Sequence, residues 1–251
     1  MLTAIKIIFL LGFLIFIHEA GHFLVAKKCK VKVKEFSIGF GPKIFSKQKG
    51  ETNYEIRLIP LGGFVNLEGE EEPSSEEGSF SNASIPKKIA IIIAGALVNI
   101  IFGIVTFFIL ILCRYKIVTG AAFSASLLYA LEATGELIVE TFQGIAGLFT
   151  FKVSINDFTG PVGISQMVSE TSSFAEFIYL LSVISISLGV TNLLPIIPLD
   201  GGKVVIYIIE AIRKKPISEK AQEEIASIGL FILLSLSFIV TFNDISRLIN
   251  R

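Results

Sequence analysis

The sequence predicts a multi-spanning α-helical membrane protein: four transmembrane helices with a membrane-associated β-hairpin region and an extracytoplasmic amphipathic helix. Three observations carry this. Of 251 residues, 52% are hydrophobic and only 18% are charged, with a mean hydropathy of +0.73, well beyond a soluble domain of that length. Four apolar runs, at about residues 5–26, 89–112, 174–190 and 226–242, have the length needed to cross a bilayer. Basic clusters follow the first run, precede the second and stand between the third and fourth, which gives the spans a direction. Residues 1–251 read as a single domain.

The first span contains only apolar residues and glycine from Ile7 to Ile17. It lacks a strongly basic start and a convincing cleavage site, so it is expected to be a retained helix, not a signal peptide. Lys27, Lys28, Lys30, Lys32 and Lys34 follow it, which places that end in the cytoplasm and the N-terminus outside. In residues 31–67 the period changes to two, as in Val31–Lys34 and Tyr54–Leu58, and antiparallel hairpins are expected. Gly39, Gly41 and Pro42 are expected to break the first strand, Lys47–Asn53 to form a polar turn, and Pro60, Gly62 and Gly63 to end or bend the next. The region is either a connector or an edge that accepts another chain by strand addition. Residues 68–79, with six glutamates and Pro73, read as a solvated, mobile loop.

Lys87 and Lys88 place the start of the second span in the cytoplasm. Its small residues Ala90, Ala94, Gly95, Ala96 and Gly103 permit close helix contact. Its one strong polar group, Asn99, either faces a site or cross-links two helices. Residues 114–173 are expected outside. Within them 124–150 reads as an amphipathic helix, lying along the membrane or packed on its neighbours. Segment 156–163 is rich in turn residues. The third span loosens near Asn192–Pro195, because Pro195 and Pro198 remove backbone donors. Non-helical backbone at membrane depth is tolerated where it is buried or lines a polar cavity. Arg213, Lys214 and Lys215 return the chain to the cytoplasm, and the C-terminus lies outside after the fourth span. Cys29 and Cys113 stand apart and are expected unbridged. Lys plus Arg equals Asp plus Glu at 22 each, so nothing in the charge calls for nucleic acid.

The chemistry sits in the first span, at His18-Glu19-Ala20-Gly21-His22. Two histidines four apart share one helix face and reach one zinc ion, with Glu19 beside it to take a proton from water. Ionisable residues in hydrocarbon need a partner or an ion, and these are the chain's only two histidines. The first and third spans both run from outside to inside, which brings Asp200 to the depth of His22. His18, His22 and Asp200 then form a three-ligand site with an open fourth position, the pattern of a catalytic centre. Asn192 is a candidate donor to the substrate backbone or the developing oxyanion. A helical substrate has to unwind before attack, and pairing with an edge strand of 31–67 replaces the lost bonds.

These residues carry a resemblance that extends over nearly the whole chain. His18–His22, and Asn192–Pro195 through Leu199–Gly201, resemble the two motifs of the site-2 protease family of intramembrane zinc metalloproteases. Phe36–Gly41 and Ile59–Val65 resemble its membrane-reentrant β region, and Gly160–Ile164 the segment before its third core helix. The resemblance implies Zn2+ on His18, His22 and Asp200, with Glu19 as catalytic acid–base. It implies a multi-pass protein of the bacterial inner membrane, with its active site toward the cytoplasm. The implied substrates are single-pass membrane proteins such as anti-sigma factors, or alternatively leftover signal peptides or pheromone precursors. Relatives of this branch usually carry PDZ domains between the second and third core helices, and residues 114–173 leave no room for one beside the helix at 124–150. Lys203 stands where many relatives have histidine or arginine. A non-catalytic membrane scaffold is the rival reading, against which all four site residues are present. An ion transporter is another, against which the outer half of the first span is almost purely apolar.

Overall fold

A computed structural model describes residues 2–70, 72, 74–150 and 158–249. Asn156 and Asp157 of the turn-rich segment, and Pro73 of the acidic loop, lie outside the described residues. In chain order the elements are α1 (Leu2–Lys28), β1 (Val33–Lys49), β2 (Thr52–Leu67), α2 (Ile85–Thr119), α3 (Phe123–Thr150), α4 (Pro161–Glu170), α5 (Phe174–Asn192), α6 (Asp200–Arg213) and α7 (Glu219–Ile249). Among the described residues four helical stretches are long and apolar enough to span a membrane: Leu2–Lys28, Ile85–Thr119, Phe174–Asn192 and Lys220–Ile249. The chain is a multi-pass membrane protein, and its second and fourth apolar runs continue as helix well past the ends that hydropathy marks.

Two compact units form, Met1–Asn99 with Asn192–Ala226, and Ile100–Thr191 with Ser227–Arg251. In the first, Ala26, Val31, Val33, Leu67, Phe80, Ile91 and Ile92 make a buried cluster. Phe16 and Phe23 of α1 pack on Phe36, and Phe23 also meets Tyr54, so the sheet is fastened to the helix that carries the histidines.

The sheet is more wound than a hairpin. β1 runs through Gly39, Gly41 and Pro42 without ending, because both glycines adopt positive φ (89° and 80°) and the strand bends there. The turn shrinks to Gly50–Glu51, closed by the Lys49–Thr52 pair. Lys43–Lys49 pairs with Thr52–Arg57, while Glu35–Ile38 pairs with Gly63–Asn66 on one side and Asn53–Ile56 on the other. Gly63–Leu67 therefore ends up as an outer segment, paired along one side among the described pairings. Arg57 ties these segments together. Its Nη2 lies 2.7 Å from Glu35 and 2.8 Å from Glu55, Nη1 donates to the Gly41 carbonyl, and the guanidinium covers the Phe64 ring at 5.2 Å. Lys43 also pairs with the buried Glu55.

The loop after β2 is not simply solvated. Glu68 is buried and pairs with Lys34 at 2.9 Å, and its carbonyl accepts the Phe80 N–H. The Ser79 hydroxyl also donates to the Glu68 carbonyl, while the Ser81 hydroxyl donates to the Ser74 carbonyl. Serines supply the local hydrogen bonds that a run of glutamates lacks.

In the second unit, α3 is helical over the residues its period predicts. Its buried face is the small-residue row Ser126, Ala130 and Thr134, whereas Leu128, Leu131 and Phe142 are exposed. The Gly160–Gly163 turn opens α4, whose Gly163 N–H donates to the buried Asp244 of α7 at 2.8 Å. Both cysteines are free.

Candidate active site

His18 and His22 lie on one face of α1, one turn apart, as i and i+4 require. Gly21 between them lets α2 approach backbone to backbone: a Cβ there would meet the Ala94 carbonyl oxygen at 2.6 Å. The same close approach places Gly95 beneath the imidazoles. A Cβ on Gly95 would lie 2.8 Å from His18 Nε2 and closer still to His22 Nε2.

Asp200 is the first residue of α6, where the helix dipole favours a carboxylate. Its direction is set by the turn before it. The Leu199 N–H donates to the Ile196 carbonyl, and the Gly202 N–H to that of Leu199. Gly201 and Gly202 pack directly on the backbone of residues 193–197, which side chains there would prevent.

The three groups meet. His18 Nε2 lies 3.1 Å from Asp200 Oδ2, His22 Nε2 lies 3.6 Å from it, and the two imidazole nitrogens are 3.1 Å apart. Bonds of 2.0–2.1 Å in a tetrahedral site set ligand atoms about 3.3–3.4 Å apart, and the three separations bracket that value. Asp200 Oδ2 is buried and accepts no hydrogen bond among the described residues. A buried carboxylate oxygen in that state is expected where a cation completes the site. The donor set, two imidazoles and one carboxylate, suits zinc. The cluster can thus hold a metal ion.

The surrounding shell orients the imidazoles. His22 Nδ1 lies 2.9 Å from the Ile91 carbonyl oxygen, the contact that keeps the proton on Nδ1 and leaves Nε2 for an ion. Asn99 is fully buried, with Nδ2 3.4 Å from His18 Nδ1. The two uses open to this amide merge in one contact, which faces the site and joins α1 to α2.

Glu19 and the three cluster residues line one cavity of about 160 Å³. The Glu19 carboxyl lies against the backbone N–H of Val65, in the outer segment of β2. Phe64, Val65, Leu67, Ile91 and Ile92 form the apolar wall. The remaining lining is an ion pair, Lys203 Nζ to Glu70 Oε1 at 3.0 Å. Burial lowers the Lys203 pKa, but the Glu70 carboxylate outweighs it and holds the ammonium above its ordinary range. Asn192 ends α5 and is not among the cavity-lining residues. Gly95, Glu70 and Lys203 escape the sequence reading as parts of the site. Lys203 alone leaves a signal, since it follows Asp200 by three residues on the same helix face.

Curated proteins align along almost all of this chain. A provisionally named zinc metalloprotease of Fusobacterium nucleatum is 27% identical over 340 residues, covering 99% of this chain and all of its own length. A similarly named protein of Clostridium acetobutylicum is 26% identical, covering 95% and 96%. The zinc metalloprotease RasP of Geobacillus kaustophilus is 24% identical over 413 residues, covering 98% of each. These alignments are much longer than the 251-residue chain, so the relatives carry segments that it lacks. Between α2 and α5 the described residues form two helices and no strand, and no PDZ domain is found among them. Residues 6–236 match the sequence profile of Peptidase family M50, and the chain belongs to that family, as a zinc metalloendopeptidase of its intramembrane site-2 protease branch.

Proposed function

We propose that the protein hydrolyses peptide bonds within the membrane spans of single-pass substrates, with zinc on His18, His22 and Asp200 and Glu19 as the catalytic acid–base. The observation that carries this is the triangle of ligand atoms with Glu19 in the same cavity. Zinc held there supplies Lewis acidity and lowers the pKa of a water ligand toward about 7. Glu19 takes the proton of the attacking water and returns it to the leaving nitrogen. Gly63–Leu67 is the edge to which an unwound substrate adds, because Phe64, Val65 and Leu67 already line the cavity. Asn192 donates to the substrate backbone or the oxyanion once a peptide has opened the cavity.

Membrane-bound anti-sigma factors are the substrate class put first, with leftover signal peptides and pheromone precursors as the alternative. Lys27–Lys34 at and beyond the end of α1, Lys87 and Lys88 in the first turn of α2, and Arg213–Lys215 at the end of α6 support termini outside and an active site toward the cytoplasm of a bacterial inner membrane. The test is cleavage of a panel of reporter membrane segments in liposomes by wild type, by Glu19→Gln and by wild type with a zinc chelator. Cleavage by untreated wild type alone is expected, and the segments cut name the substrate class. A folded protein that binds no zinc overturns the proposal in favour of a scaffold.

A further inference from the structure

The catalytic cavity is too small to enclose a peptide. Its volume is about 160 Å³, whereas sites that enclose a ligand begin near 300 Å³, and an extended chain advances about 3.3 Å per residue. Something has to part before a peptide lies along Gly63–Leu67 with its carbonyl beside Glu19. Most of the lining cannot yield cheaply. His18, Glu19 and His22 belong to α1, Leu67, Ile91 and Ile92 belong to the buried cluster, Val65 packs against that cluster, and Arg57 covers Phe64. The exception is the contact between Glu70 and Lys203. Glu70 stands on the loop three residues beyond the outer strand segment, and Lys203 stands one turn along α6 from Asp200. Their side chains retain 22% and 42% of their exposure, so both are solvated enough to separate. The acid–base and metal chemistry uses neither charge.

We propose that the Glu70–Lys203 ion pair is a latch across the catalytic cavity, which a peptide substrate parts in order to bind. The pair sets access to the site, and so acts on substrate affinity and not on the chemical step. It rests on the function proposed above only in identifying the cavity as the substrate site. A partly exposed pair of this kind is worth little, which suits a contact that opens in every cycle.

Binding of a fluorescent, uncleaved membrane segment is measured in liposomes in the Glu19→Gln background, which needs no catalysis. Lys203→Met and Glu70→Gln are each expected to tighten binding by about 1.5- to 5-fold. The double variant is expected to bind no tighter than either single one, because both remove the same contact. With Glu19 restored, Lys203→Met is expected to lower KM by a similar factor. Unaltered binding in all three variants overturns the latch. Turnover slowed by about 100-fold or more in Lys203→Met, with binding unchanged, also overturns it and makes Lys203 an oxyanion donor. Failure of wild type to cleave any segment counts against the proposed protease function and leaves the binding comparison standing.

Discussion

Gly95→Ala adds one methyl group and tests how the site is seated. The new Cβ would lie 2.8 Å from His18 Nε2 and nearer still to His22 Nε2. Non-bonded heavy atoms settle at about 3.5–4.0 Å, so each imidazole has to withdraw by roughly 0.7 Å or more. Metal ligands tolerate about 0.2 Å. His22 has little room to move, since its Nδ1 sits 2.9 Å from the Ile91 carbonyl oxygen, and His18 is buried beside Asn99. Helix formation itself gains about 0.5–1 kcal/mol from the change. The two effects therefore separate. Zinc affinity is expected to fall at least about 100-fold, roughly 2.7 kcal/mol, while the chelated variant melts only a few degrees below chelated wild type, because overpacking of about 1–3 kcal/mol is partly offset by the helix gain. Zinc per chain after gel filtration reads the first effect, and thermal unfolding with and without chelator reads the second. Stoichiometric zinc with a wild-type response to chelator would refute the reasoning. So would a metal-free variant that melts above chelated wild type, because the methyl would then meet no resistance from the imidazoles.

Asn99→Leu removes the amide beside His18 Nδ1 and is expected to weaken zinc binding by about 10- to 100-fold, read by competition with a calibrated chelator. Asp244→Ala leaves the Gly163 N–H without its buried acceptor. It should cost about 1–3 kcal/mol, seen as a lower Tm with zinc content unchanged. Burial pushes the Glu55 carboxyl up, but the Lys43 ammonium and then Glu35 and Arg57 outweigh it and hold the carboxyl below its ordinary 4.5. A carboxyl lowered on folding contributes stability above its unfolded pKa and loses it as pH falls through the folded one. The Tm of chelated wild type should accordingly drop as pH falls below about 4.5, and that step should be smaller in Glu55→Gln. Equal profiles for the two proteins would remove Glu55 from the acid response.

What could be read from the sequence was what is decided locally. Hydropathy over some twenty residues reports a span, and the i, i+4 spacing places both imidazoles on one face whatever surrounds the helix. Asp200 was reachable because span direction brought it to the depth of His22, and the observed separations agree. Local pattern fails where chain segments distant in sequence decide. Gly39, Gly41 and Pro42 look like strand breakers, yet the pairing of Glu35–Ile38 on both sides carries β1 through them as a bend. Of the glutamates in the loop after β2, composition does not tell which turns inward. Lys34 draws in Glu68 and Lys203 draws in Glu70, and both partners lie outside the loop. Gly95 reads as one small residue among several in α2, and only the backbone contact at Gly21 makes it the floor of the site. Asn192 is the opposite case. Its place beside the Asp200 turn puts it in the site by sequence order, while the closed cavity is lined by Lys203. On the function and latch proposed above, the two residues would act in succession, Lys203 before a substrate parts the cavity and Asn192 after it, and the latch variants test the first half of that order.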